Sequence, residues 1–144
     1  MPESLQLILL IHAGSTLAMF GLIWFVQVVH YPLMAAVGQD GFADYEKHHT
    51  ARTTWVVAPL MFLELGSACL LIYMLPDQRL LTVAGVITLG LIWASTAFLQ
   101  VPAHNRLLSG FDAAVHRRLV ATNWVRTVLW SARAVLACVL IGMG

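Results

Sequence analysis

Charge is what this sequence has least of. Of its 144 residues only a tenth are Asp, Glu, Lys or Arg, while 60% are hydrophobic and the formal net charge is +1. So neutral a chain carries no basic field for a polyanion, which excludes nucleic acid as a partner class. Cysteine is scarce too: Cys69 and Cys138 both fall inside apolar stretches, so no disulfide framework is indicated. No His-Glu-x-x-His motif and no paired cysteines are present, which removes the most specific metal signatures.

What remains is hydrocarbon. Mean hydropathy is +0.81, and a globule of this length cannot hide that much apolar surface from water. Four segments are long and apolar enough to span roughly 30 Å of hydrocarbon, near residues 5–29, 54–75, 80–99 and 124–143. The first is too long for a signal-peptide core and lacks a basic leader, so it reads as a retained span. The expectation is a single integral membrane domain over 1–144, embedded in the lipid bilayer.

The chain also repeats itself. Gly21-Leu22-Ile23-Trp24 returns 69 positions later as Gly90-Leu91-Ile92-Trp93, Gly41-Phe42 as Gly110-Phe111, and Trp55 as Trp124. Without a gap, fifteen paired positions are identical, Cys69 and Cys138 among them. The halves, about 1–75 and 76–144, hold two spans each and therefore share one orientation, with a relating axis along the membrane normal. The predicted fold is all-α: a polytopic four-helix bundle with an internal pseudo-two-fold repeat.

One repeated pair changes sign: Glu64 corresponds to Arg133. Each lies nine residues beyond a tryptophan (Trp55, Trp124), or roughly 13 Å at the helical rise, which is close to the bilayer midplane. An isolated charge there costs at least about 2.5–3.5 kcal/mol, so the two are expected to meet on facing helices. The pair either fixes helix register or lines a polar pocket.

Two connectors, Tyr31 to Thr53 and Val101 to Asn123, are long, and each begins beside a proline (Pro32, Pro102) expected to end the preceding helix. Each is read as a short interfacial helix. They carry Lys47, Arg52, Arg106, Arg117 and Arg118, whereas Arg79 lies on the opposite side. The positive-inside rule then places the connectors in the cytoplasm and both termini outside a cell's inner membrane.

All histidines except His12 gather at this end: His30, His48, His49, His104 and His116, with Gln27, Tyr31, Glu46, Asn105, Asn123 and Arg126 nearby. Glu46 and His49 stand three apart, on one helical face, as in Glu-x-x-His metal pairs. His30 and His104 close spans one and three, which makes His30, Glu46, His49 and His104 candidate ligands for a divalent metal ion. Bis-histidine haem is disfavoured, because span interiors offer only His12. Arg126, Trp130 and Arg133 share a helix face and read as the wall of an anion-tolerant pocket. Thr122 or Asn123 is read as the cap of the last span.

Val101-Pro102-Ala103-His104-Asn105-Arg106-Leu107, followed by Asn123-Trp124-Val125-Arg126-Thr127, resembles the Val-Pro-x-Asn…Trp-Asn-x-x-Arg-Thr signature of anthrone-oxygenase-like membrane proteins. These are small four-span proteins, most of unknown function. The resemblance covers most of the chain, and it implies the same bundle and oxidation of an anthrone to an anthraquinone without an established cofactor.

Three functions follow as expectations. The first is an oxidoreductase or oxygenase acting on a lipophilic aromatic or quinone-like small molecule, with Arg126 and Arg133 stabilising an oxyanion and Glu64 or His104 moving a proton. Tyr31, Asn105, Asn123 and Trp130 would then bind the substrate. The second is a small carrier or channel, working as a homo-oligomer because four helices make a thin wall. The third is an accessory structural subunit in which the Glu64/Arg133 pair sets register.

Overall fold

The computed structural model describes residues 2–143, and among these every regular element is helical. Four long helices follow one another: α1 (Glu3–Met34), α2 (Gln39–Met74), α3 (Pro76–Leu107) and α4 (Ala113–Met143), each long and apolar enough to cross a membrane. Helix α1 packs on α2 and α4, and α3 packs on α2 and α4, which closes a four-helix bundle. The protein is thus a multi-pass, all-α bundle.

Burial is inverted relative to a water-soluble bundle. Leu7, Phe25, Phe62, Ile87, Phe98 and Val128 face outward, and Trp55 is 82% exposed, whereas Gln27, Glu46, Glu64, Gln100, Asn123, Thr127 and Arg133 are buried. Lipid contact costs apolar groups nothing, whereas a polar group facing acyl chains loses its hydrogen bonds, so the polar residues turn inward. Cys69 and Cys138 are free thiols on the exposed surface.

The connectors are helical but not separate. Residues 39–53 run straight into span two as part of one 36-residue helix, and residues 113–123 likewise begin the 31-residue α4. At about 1.5 Å per residue such helices reach about 46–54 Å, well beyond ~30 Å of hydrocarbon, so their polar ends extend past it collinearly. Apart from the bond that Pro59 of α2 cannot donate, continuity keeps the backbone hydrogen bonds inside one helix, whereas a break at the interface would leave several unpaired. Asn123 and Thr122 are therefore mid-helix rather than caps. The α4 start is capped by Asp112, whose Oδ1 accepts the N–H groups of Ala114 at 2.8 Å and Val115 at 3.0 Å.

Pro32 and Pro102 do not end their helices either. A five-residue π-turn precedes each X-Pro step, Val26–His30 in α1 and Thr96–Gln100 in α3, and helix resumes through the proline. The N–H groups of Tyr31 and Val101 reach back five residues to Val26 and Thr96. This wider turn absorbs the donor that proline lacks and makes room for its ring. One extra residue also rotates everything downstream by about 100°, the helical angle per residue. That rotation turns Tyr31 and His104 toward the bundle axis. The tight reversals before α2 and α4 use Gly38 (φ 89°) and Gly110 (φ 127°), a backbone region that side chains disfavour.

At mid-bundle, Glu64 of α2 and Arg133 of α4 are in contact, Oε1 to Nε 2.6 Å, with exposures of 0% and 1%. Glu64 also accepts hydrogen bonds from Thr16 Oγ1 at 2.9 Å and from Trp130 Nε1 at 3.0 Å, while Arg133 donates to the Gly85 carbonyl. The carboxylate thereby ties α1, α2 and α4 together, and the guanidinium adds α3. His12, one turn away, contacts Ser67 Oγ at 3.0 Å.

Two predictions follow from these contacts. Glu64→Gln or Arg133→Met alone should each cost about 3–5 kcal/mol of stability by stranding a buried charge, and the double variant should recover most of it. Thermal unfolding in detergent measures this, and additive losses would show that the two charges do not compensate one another. At the α4 start, the bonds from the Val115 and Ala114 N–H groups hold the Asp112 carboxyl below the usual carboxylate range. A lowered value means the cap is in force at neutral pH and is lost as pH falls through that value. Asp112→Ala should therefore speed hydrogen exchange at Ala114 and Val115 at neutral pH without affecting the far end of α4.

Candidate functional site

A cavity of about 390 Å³ opens inside the connector end of the bundle, within the size range of small-molecule sites. Met19, Ile23, Val57, Met61, Trp93 and Trp130 form its apolar walls, and Tyr31, His49, Gln100, His104, Asn105 and Arg126 its polar end. The cavity therefore starts among groups beyond the hydrocarbon and descends to Trp130, about 9 Å deeper than Trp124 by helical rise.

The polar end is one connected line. His104 Nδ1 lies 2.5 Å from Glu46 Oε1, its Nε2 lies 2.9 Å from the Tyr31 hydroxyl, and Arg126 Nη2 donates to that hydroxyl at 3.2 Å. Glu46 accepts, so Nδ1 carries the proton and Nε2 is left to accept from Tyr31. A buried carboxylate, an imidazole, a phenol and a guanidinium thus follow in sequence. Negative charge sits at one end and positive charge at the other. The four residues come from four helices, and two of them, Tyr31 and His104, face inward because of the π-turns.

Arg126 is fixed from behind. Its Nε and Nη2 donate to Asn123 Oδ1 at 2.9 and 2.6 Å, Nη1 reaches Thr96 Oγ1 at 3.4 Å, and Asn123 Nδ2 in turn donates to Gln27 Oε1 at 2.8 Å. Gln27 closes the network on the Val120 carbonyl at 3.2 Å. Among the described residues no carboxylate touches Arg126, and its charge faces the cavity, where an anion could meet it. Beneath the line, His116 Nε2 meets the Tyr31 carbonyl at 2.7 Å and holds the α1 end against α4.

A second set of side chains leans on His49. Its Nδ1 is 2.9 Å from His30 Nε2 and 3.2 Å from Thr53 Oγ1, and Tyr45 stacks on its ring with 6.2 Å between centroids. Donor atoms of Glu46, His49 and His104 all lie within 4.8 Å of one another. Buried Glu46 Oε2 and Gln100 Oε1 have no hydrogen-bond partner among the described residues.

The candidates chosen from sequence thus separate into groups. Tyr31, Asn105, His104, Arg126 and Trp130 line the cavity. Asn123 stands behind Arg126 as a support rather than on the cavity wall. Glu64 and Arg133 do not line it: they are bound to each other below its floor, with Trp130 between, because a direct ion pair satisfies both charges. His30 touches His49 rather than the Glu46–His104 pair. Thr16, Thr53 and Thr96 were not singled out by sequence reasoning; only Thr53, four residues after His49, carried a spacing that could have marked it.

No family model, no curated protein and no solved structure matches this chain.

Tyr31→Phe tests the line itself. It strands His104 Nε2 and one Arg126 donor in a buried site, and should lower stability by about 1–3 kcal/mol in thermal melts. Tyr45→Phe, whose hydroxyl stands 3.5 Å from His30, should have little effect.

Proposed function

We propose that this protein is a membrane-embedded oxidoreductase whose cavity takes a lipophilic aromatic molecule able to lose a proton and become an oxyanion. The single observation that carries this reading is the apolar cavity ending at Tyr31 and Arg126, with His104 and Glu46 behind them. The walls suit fused aromatic rings, and the guanidinium and phenol suit one oxygen. Arg126, itself buried, stabilises the negative charge that develops there. His104, aligned by Glu46, takes the proton through Tyr31. The resemblance to anthrone-oxygenase-like proteins in residues 101–107 and 123–127 supports the same substrate class.

For anthrone as the probe, loss of a ring-methylene proton gives the aromatic oxyanion. That anion is electron-rich enough to reduce O₂, and the overall change is anthrone plus O₂ to anthraquinone plus water. Glu64 and Arg133 are assigned to register rather than chemistry, since they form a direct ion pair outside the cavity. The positive-inside rule, applied to Lys47, Arg52, Arg106, Arg117 and Arg118, supports a cytoplasmic location for this end of the bundle, with the termini outside an inner membrane.

Protein reconstituted in liposomes should bind anthrone saturably, read by quenching of Trp93 and Trp130 fluorescence, and should accelerate anthraquinone formation in air. Arg126→Gln should lower turnover by roughly 10²–10³-fold and His104→Ala by roughly 10²–10⁴-fold. Wild-type protein that neither binds anthrone saturably nor speeds its oxidation would rule the reading out.

A further inference from the structure

We propose that Glu46, His49 and His104 form a binding site for one divalent first-row transition-metal cation, with His30 and Tyr31 as the side chains that orient its two imidazoles. Glu46 and His49 stand one turn apart on α2, and His104 approaches from α3, so two helices present three donor atoms within 4.8 Å of one another. Two imidazoles with one carboxylate suit Fe²⁺, Co²⁺ or Zn²⁺ better than the oxygen-preferring Mg²⁺ or Ca²⁺.

Three further observations point to a ligand. Glu46 is completely buried, yet its Oε2 has no hydrogen-bond partner among the described residues. A carboxylate oxygen in that condition is costly, and a cation is the partner that would relieve it. Second, each imidazole has its other nitrogen engaged. His49 Nδ1 is held by His30 Nε2 at 2.9 Å, which leaves Nε2 as its ligand atom. His104 Nε2 is held by Tyr31 at 2.9 Å, which leaves Nδ1. Metal-binding histidines are oriented by such outer contacts. Third, His49 and His104 line the cavity, so a cation held by three protein atoms keeps open positions facing it.

The fit requires little movement. Glu46 Oε1 and His104 Nδ1, now 2.5 Å apart, must separate by about an ångström to admit a cation with bonds of about 2.0–2.1 Å. The cation then takes the place of the Nδ1 proton, and the neutral imidazole carries its proton on Nε2 instead, donating it to the Tyr31 hydroxyl. In the loaded protein His104 is a ligand and no longer a base, and Tyr31, held beside Arg126, is the proton-bearing group left facing the cavity. Two histidines and one carboxylate with open positions are the donor set of non-haem Fe(II) oxygenases. In that respect the inference rests on the oxidoreductase reading, whereas cation binding itself does not.

The test is a Co²⁺ titration of full-length, EDTA-stripped protein in detergent, followed by visible ligand-field absorption, with bound metal counted by mass spectrometry. One Co²⁺ per chain is expected. His49→Ala and Glu46→Gln should each weaken binding roughly 100-fold or more, and His30→Ala about 10–100-fold. His48→Ala should leave affinity unchanged, because its ring lies on the exposed face beside Asp44. His49→Ala retains the Glu46–His104 contact, so an unchanged circular dichroism spectrum separates a lost ligand from a lost fold. Sub-stoichiometric Co²⁺, or an affinity that His49→Ala does not alter, would overturn the site. Anthrone quenching, measured on the stripped protein, reads the other proposal independently: Co²⁺ without anthrone binding removes the oxidoreductase reading, and anthrone without Co²⁺ removes the cation site.

Discussion

The constraint that organises this bundle is the cost of charge where water is absent. Among the buried side chains are two carboxylates, Glu46 and Glu64, and two guanidiniums, Arg126 and Arg133. Glu64 and Arg133 cancel by direct contact, while Thr16, Trp130 and the Gly85 carbonyl take up further hydrogen-bonding capacity. Their geometry draws on all four helices: sliding α2 or α4 by a turn would separate the charges, and sliding α1 or α3 would remove a hydrogen bond from one of them. A buried pair of this kind is weak evidence for stability but good evidence for register.

Glu46 and Arg126 solve the same problem differently. They never touch; His104 and Tyr31 stand between them and carry the polarity from one charge to the other. A separated pair is less completely neutralised than a contact pair, and the residual field falls on the cavity beside the line. The protein therefore keeps one acid–base pair closed on itself and one open to the cavity. In both cases α2 supplies the acid and α4 the base, but only Glu64 and Arg133 are partners in the 69-residue repeat, whereas Glu46 and Arg126 fall on Val115 and Val57.

Hydropathy and the repeat made the spans and the Glu64–Arg133 contact legible, because a 69-residue offset places those two residues at one depth and on one face. The connectors were harder. A polar stretch beyond a span looks the same whether it lies on the membrane or continues the helix outward, and only the backbone's need for unbroken hydrogen bonds decides. The π-turns leave no trace in composition, yet they carry Tyr31 and His104 inward. Their one sequence echo is phase: Pro32 and Pro102 are 70 residues apart, one out of step with the glycines and tryptophans of the repeat. The Asp112 cap was readable in principle, as an acid just before an Ala-Ala-Val helix start. Thr16 and Thr96 were not, because a threonine in an apolar span bonds its own backbone as readily as a partner.

The π-turns also bear on why the polar lining of the cavity concentrates at one end. Both lie at the same level, each just before a proline, and each rotates a short helical segment relative to the span beneath it. The cavity continues below them as far as Trp130, and beneath that floor the central polar groups are largely bound to one another. Above them the phase shift presents Tyr31, His104 and Asn105 to the cavity. Straightening either turn would move its downstream residues about 100° around the helix and close the cavity's polar end. The irregular backbone is thus what converts a plain membrane bundle into one with a site.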